Sequence, residues 1–209
     1  MTNEERAKES DIAIYIGLGS NLGDREANLR EAAARIEKLG IEIARESSIY
    51  ETEPAGFLDQ PWFLNQVIEV KLPAEPDSED ASVFNDPKAT AAARAESLLS
   101  RLLAIERAMG RERTITHGPR VIDIDLLLFG DSIIAHSPGE GRSFEDRTEV
   151  FVPHPRMHLR RFVLEPLCEI APGVIHPKLE KTCHELLAAL DDPSTVTLIK
   201  REAATDEHG

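Results

Sequence analysis

Apolar residues first gather at 12–18, a run with the length and β-branched content of a buried strand. Gly19, Ser20 and Asn21 interrupt it, and Leu29, Ala33, Ile36 and Leu39 then recur at helical spacing until Gly40 supplies a stop. Residues 41–50 read as one extended strand and 63–72 as the next, separated by a loop that holds Pro54, Gly56 and Pro61. An Ala- and Leu-rich helix is predicted over 90–109, ended by Gly110, and 121–129 alternates apolar and acidic residues as a strand does. The order βαββαβ predicts an α+β fold with a ferredoxin-like core, in which helices pack on one face of a mainly antiparallel sheet and leave the other for a site. Beyond the core, 156–170 and 183–190 predict a C-terminal helical extension.

The chain has 209 residues, 41% of them hydrophobic, which is enough for one sizeable core. A single domain is expected over 12–200, between a flexible N-terminal segment (1–11) and a flexible tail (201–209). Two acidic or polar stretches, near 73–88 and 136–149, read as exposed insertions, the first without a catalytic role. The early apolar run is too short for a bilayer, and the residues before it lack a signal-peptide pattern, so a soluble, cytoplasmic protein is expected. The two cysteines, Cys168 and Cys183, form no CxxC pair, which disfavours a disulfide framework or structural zinc and fits a reducing compartment. A formal charge of −14 argues against nucleic-acid and anionic-membrane binding. Against that background Arg107, Arg111, Arg113 and Arg120 cluster mid-chain, so a local anion site can exist within an acidic protein.

The strongest chemical signal is Asp123-Ile124-Asp125. Residues two apart on a strand share a face, with Cα atoms roughly 6.6 Å apart, so both carboxylates can converge on metal. Such hard oxygen ligands suit Mg²⁺ carrying nucleotide phosphates; two acids lining a solvated sheet face are an equally weighted reading of that pair alone. Arg111, Arg113 and Arg120 lie just upstream, and guanidinium forks match phosphate oxygens, although each arginine alone is also compatible with an ordinary surface salt bridge. The glycine-rich segment from Gly17 to Gly23 fails the dinucleotide template because Leu22 stands where glycine is needed, and no Walker sequence occurs; a tight strand-to-helix turn is expected there. His154 and His158 are four apart, but Pro155 interrupts the helix start and no third ligand follows, so phosphate contact is favoured over zinc.

Six segments in fixed order, GLGSNLGD, YETEPAG, QPWFLN, GRER, GPRVIDIDLLLFG and VPHPRMHLRRFVLEPLCEIAP, together resemble the hydroxymethyl-dihydropterin pyrophosphokinase family over most of residues 12–173. The resemblance implies transfer of pyrophosphate from ATP to 6-hydroxymethyl-7,8-dihydropterin, giving AMP and the pterin diphosphate, in folate biosynthesis. By position, Asp123 and Asp125 would hold two Mg²⁺ ions on the ATP phosphates. Arg111 and Arg120 would grip the phosphates as catalytic cations, Arg113 would add a loop cation, His154 and Arg160 would contact the triphosphate, and Glu106 would lie near the nucleotide. Thr52, Pro54, Ala55 and Gly56 would line the pterin pocket, with Asn65 hydrogen-bonding the ring and Phe162 stacking on it. Two departures stand out: Thr116-His117 replaces an arginine and an aromatic of many relatives, and Phe63 replaces a tyrosine of some.

The expected reaction is in-line attack of the pterin hydroxymethyl oxygen on the β-phosphorus, governed by positioning and charge stabilisation with no side-chain base in view. Closure of the 51–61 and 111–119 loops would exclude water. Partners are thus the two substrates, with the chain expected to act as a monomer. The rivals are a phosphoryl or nucleotidyl transferase acting on another acceptor, disfavoured by Gly56, Asn65 and Phe162, and a binding-only pterin or nucleotide sensor, disfavoured by the aspartate pair.

Overall fold

The computed structural model describes residues 12–54, 58–72, 90–111, 118–136 and 150–199. Strand β1 (Ile14–Ser20) leads into helix α1 (Arg25–Glu37), whose first turn is capped by Asp24 accepting the Ala27 N–H at 3.0 Å. Strands β2 (Glu42–Glu46), β3 (Ile49–Thr52) and β4 (Phe63–Lys71) follow, then helix α2 (Ala91–Ala108), capped by Thr90, and strand β5 (Asp123–Phe129). The chain continues through β6 (Ile134–His136), β7 (Val150–Val152), a 3₁₀ turn (Met157–Leu159), helix α3 (Arg161–Ile170), the short hairpin β8 (Ile175–His176) and β9 (Lys181–Thr182), helix α4 (Cys183–Ala188) and β10 (Val196–Ile199).

The main sheet runs β10-β3-β4-β1-β5, with β2 also on β4, and its pairs are antiparallel. The mixed α/β architecture and mainly antiparallel sheet agree with the sequence reading; three details differ. The strand expected over 41–50 is split in two. At the break the Ser47 hydroxyl accepts the Val67 N–H at 3.0 Å and donates to the Ser48 carbonyl, so a side chain replaces a ladder acceptor and the strand bulges. The C-terminal extension is not only helical, because β10 pairs with β3 at the sheet edge, a four-residue strand too short for its alternation to stand out.

The third difference bears on the site: helices lie on both faces. On one face Ile14, Ile16, Leu18, Leu64, Ile68, Ile124 and Leu126 are buried with Leu29 and Ile36 of α1 and Leu98 and Leu102 of α2. On the other, Tyr15, Val67 and Leu127 pack with Val163, Leu164 and Leu167 of α3 and Leu186 of α4. Among the described residues, that second layer packs on one end of the face. Among the described residues no helix is long and apolar enough to cross a membrane.

Candidate active site

The uncovered end of that face is set by register. Gly19 lies opposite Asn65 on one neighbouring strand and opposite Asp123 on the other; Gly17 lies opposite Val67 and Asp125. Side chains of paired residues point the same way, so Asn65 and the two aspartates share one side of the sheet, separated by two positions without side chains. At Gly19 the fit is tight: a Cβ there would come within 2.9 Å of Asn65 Oδ1, and the Asn65 amide would have to shift. At Gly17 the nearest atom would be Leu127 Cδ1, at an ordinary 3.5 Å.

On the β5 side, carboxylates and guanidiniums alternate. Arg111 pairs with Asp123 Oδ1 at 2.7 Å and Arg120 Nη2 with Asp123 Oδ2 at 3.0 Å, while Arg160 Nη1 stands 3.9 Å from Asp125 Oδ2. Arg111 also donates to Glu106 of α2, and Glu106 accepts the Ile124 N–H at 2.6 Å. Glu106 therefore ties α2 to β5 and orients Arg111 from behind. Burial pushes the Glu106 carboxyl up to about 7, against the opposing pull of Arg111 and the Ile124 amide. Burial and the neighbouring Asp123 push Asp125 up to about 6, although 35% of its side-chain surface stays exposed, the geometry of a residue on the floor of a cleft.

His154 follows β7 and anchors its loop by donating its N–H to the Leu127 carbonyl at 2.9 Å. Its Nδ1 accepts the Arg156 N–H at 3.3 Å, which favours a neutral ring with the proton on Nε2. Burial, with Arg160 and Arg156 nearby, lowers its pKa to about 4. Hydrogen bonds and ion pairs thus join Glu106, Arg111, Arg120 and Asp123 directly, whereas His154 stands beside the group without contacting the carboxylates.

On the β4 side, Asn65 Nδ2 donates to Thr52 Oγ1 at 2.7 Å, a buried pair that joins the ends of β3 and β4. Phe63 is under the Arg120 guanidinium, 5.1 Å from its ring centre, and Phe162 is under Arg160 at 5.4 Å. Phe63 and Phe162 therefore each meet a cation of the charged cluster. Pro54 is buried beside Thr52, whereas Ala55, Gly56 and Arg113 lie outside the described residues.

Sequence reasoning passed over Asn21, assigned only to a turn. It is buried, and its Nδ2 donates to Gln60 Oε1 and to the Pro61 carbonyl, both at 3.0 Å. Its Oδ1 accepts the Arg120 N–H at 2.8 Å. One amide thus holds together the approach to β4 and the approach to β5. A polar residue directly after a buried strand was the available signal, but its partners are 39 and 99 residues away.

Among the described residues no group of three or more His, Cys, Asp and Glu could by itself hold a metal. Asp123 and Asp125 nevertheless fit Mg²⁺, which commonly takes one or two protein carboxylates and completes its shell with water and phosphate oxygens. Three guanidiniums (Arg111, Arg120, Arg160) face three carboxyl groups (Glu106, Asp123, Asp125), so the cluster is locally balanced within a chain of net −14. Cation binding to the aspartates would release arginine charge for an anionic ligand.

A family model described as 7,8-dihydro-6-hydroxymethylpterin-pyrophosphokinase matches residues 15–85 and 79–172. The chain is 36% identical over 194 residues to 2-amino-4-hydroxy-6-hydroxymethyldihydropteridine pyrophosphokinase of Bacillus subtilis, covering 92% of this chain and 93% of that one. It is 35% identical over 173 residues to the enzyme of the same name from Aquifex aeolicus, covering 82% and 88%. A solved HPPK-DHPS structure from Plasmodium falciparum superposes with a TM-score of 0.61 at 15% identity, over 90% of this chain and 47% of the other. The chain thus spans less than half the length of that structural relative, and the likeness speaks to fold.

Proposed function

The chain belongs to the 7,8-dihydro-6-hydroxymethylpterin-pyrophosphokinase family, and from that membership we propose that the uncovered end of the sheet is where pyrophosphate passes from ATP to 6-hydroxymethyl-7,8-dihydropterin in folate synthesis. The observation that carries the assignment to this site is the row Asn65, Gly19, Asp123. It sets a hydrogen-bonding amide and a cation-binding carboxylate side by side on three adjacent strands with nothing between them.

In this reading ATP lies along β5 and the pterin along the ends of β3 and β4. Arg111 and Arg120 exchange their hold on Asp123 for phosphate oxygens, Arg160 and neutral His154 reach the triphosphate, and Arg113 adds a loop cation. Glu106 keeps Arg111 aimed at the reacting group. Thr52, Pro54, Ala55 and Gly56 line the pterin pocket; Phe162 stacks on the ring and Asn65 meets its polar edge, where an unpaired buried amide would cost about 1–3 kcal/mol. Asp123 and Asp125 would hold Mg²⁺, two ions with ATP, and the metal would supply charge neutralisation on the phosphates.

The hydroxymethyl oxygen forms a bond to the β-phosphorus as the bond from that phosphorus to the α,β-bridging oxygen breaks. AMP leaves with the electron pair, and the hydroxyl proton passes to solvent. The guanidiniums stabilise charge that develops on the transferred group, and positioning provides the remainder. The enzyme is further proposed to work as a single cytoplasmic chain.

The test is AMP formation from ATP with the pterin and Mg²⁺, comparing wild type with Asp125→Ala. Pterin-dependent AMP that falls by about 10³ or more in the variant is expected for loss of a metal ligand at a phosphoryl site. Equal turnover in the two proteins would remove Asp125 from the reaction, and ADP instead of AMP would assign a different transfer.

A further inference from the structure

The C-terminal strand does more than widen the sheet. Just before β10, residues 192–195 grip two elements that flank the pterin side of the cleft. Asp192 Oδ2 accepts the Arg161 N–H at 2.9 Å, and the Asp192 carbonyl accepts Arg161 Nε at 3.0 Å. Three residues on, Thr195 donates its N–H and hydroxyl to the Glu53 carboxylate, at 3.2 and 2.9 Å, while the Glu53 N–H donates to the Thr195 carbonyl at 3.2 Å. One jaw is thus the first turn of α3, immediately before Phe162. The other is the residue between Thr52 and Pro54.

The first turn of α3 needs this outside support. A helix start leaves backbone N–H groups without partners, and Arg160 at the N-cap position makes no side-chain capping bond. Pro166 has no N–H to donate to the Phe162 carbonyl one turn earlier. Asp192, 31 residues downstream of Arg161, supplies the missing acceptor and brings a carboxylate to the positive end of the helix. Thr195 meanwhile anchors this support to the end of β3, where Val196 pairs with Thr52.

We infer that residues 192–195 act as a positioning clasp for the pterin, setting the distance between the Phe162 ring and the Thr52 wall of the pocket. The inference rests on the assignment of Phe162 and Thr52 to the pterin site. Asp192 touches no substrate; it acts through Arg161 and Phe162.

Steady-state kinetics on the full chain test this, with ATP and 6-hydroxymethyl-7,8-dihydropterin varied in turn for wild type, Asp192→Ala, Asp192→Asn and Phe162→Ala. Asp192→Ala is expected to raise the pterin KM about fivefold, the factor that a lost helix cap represents, with the ATP KM and kcat within about twofold. Asp192→Asn keeps a side-chain oxygen for the Arg161 amide and is expected to restore the pterin KM. A purely structural role would instead lower Tm and the active fraction, hence kcat, with the pterin KM unmoved, and that outcome overturns the clasp. If the pterin KM rises in Phe162→Ala but not in Asp192→Ala, the clasp is wrong and the pocket stands. If Phe162→Ala leaves it unchanged, the pocket assignment and the clasp fall together. Should Asp192→Ala not fold, Thr195→Val, which removes only the hydroxyl bond to Glu53, provides the same reading: a raised pterin KM supports the clasp and an unchanged one overturns it.

Discussion

The same face of the same strands ends in two different ways. At one end Tyr15, Val67 and Leu127 meet α3 and α4 in a closed apolar layer; two to four residues along, Gly19, Asn65, Asp123 and Asp125 point to the same side and carry polar and charged contacts instead. Each end also holds carboxylates, and Glu69 and Asp125 are treated differently. Glu69, only 9% exposed at its side chain, is held by Arg45, whose Nε lies 2.6 Å away, and burial together with the Glu69 charge pushes the Tyr15 hydroxyl up to about 12. Asp125 is more exposed and its ion-pair partner Arg160 is 3.9 Å away, which leaves it acceptor capacity for a ligand. Both ends thus hold carboxylate–guanidinium pairs, and the difference lies in Asp125, whose partner stands farthest off and whose oxygens stay open to a ligand.

The largest expected break in this comparison comes from the open end. Arg120→Ala removes a cation that also stacks on Phe63, and turnover should fall by about 10²–10³ with the fold intact, measured as AMP release. The closed end should respond in the opposite sense. Leu164 is fully buried in the α3 layer, so Leu164→Ala should cost about 2–5 kcal/mol in urea unfolding while leaving the kcat of the folded fraction nearly unchanged.

The two glycines between the ends sharpen the contrast. In Gly19→Ala the new methyl group must displace the Asn65 amide, so the pterin KM should rise by about tenfold, a cost on the scale of 1–3 kcal/mol for overpacking. In Gly17→Ala the methyl group would meet Leu127 at an ordinary contact distance, and the pterin KM should stay near the wild-type value. Equal effects at the two positions would contradict the assignment of Asn65 to the pterin.

The smallest effect at neutral pH is expected at His154. Its folded pKa, about 4, lies below its ordinary 6.5, so the unfolded chain binds more protons between those values. The contribution to stability is fully present above about pH 6.5 and is lost as pH falls through about 4. His154→Gln should flatten that part of the stability profile in urea titrations and leave stability near pH 7.5 close to wild type.

Much of this architecture was legible in the residues before any contact was seen. Strand and helix periodicity located β1, α1, β4, α2 and β5 to within a few residues, because each buries a regular face and periodicity records burial. Asp123 and Asp125 were legible for the same reason: acids alternating with apolar residues on a strand must share a side. The break at Ser47 was not, since it depends on the Ser47 hydroxyl bonding to Val67 across the sheet. Nor was β10, whose pairing with β3 brings together residues more than 140 positions apart.

By itself, then, the sequence determined which residues carry charge, which alternate with apolar neighbours and to which family the motifs correspond, all matters of chemical identity and local spacing. Tertiary structure alone decided that α3 closes one end of a sheet face and stops short of the other, that Asn21 joins two strand approaches, and that Asp192 caps a helix begun 31 residues earlier. The physical reason is that hydrogen bonds and packing between distant segments depend on where the chain returns, and no local pattern of residues encodes that return.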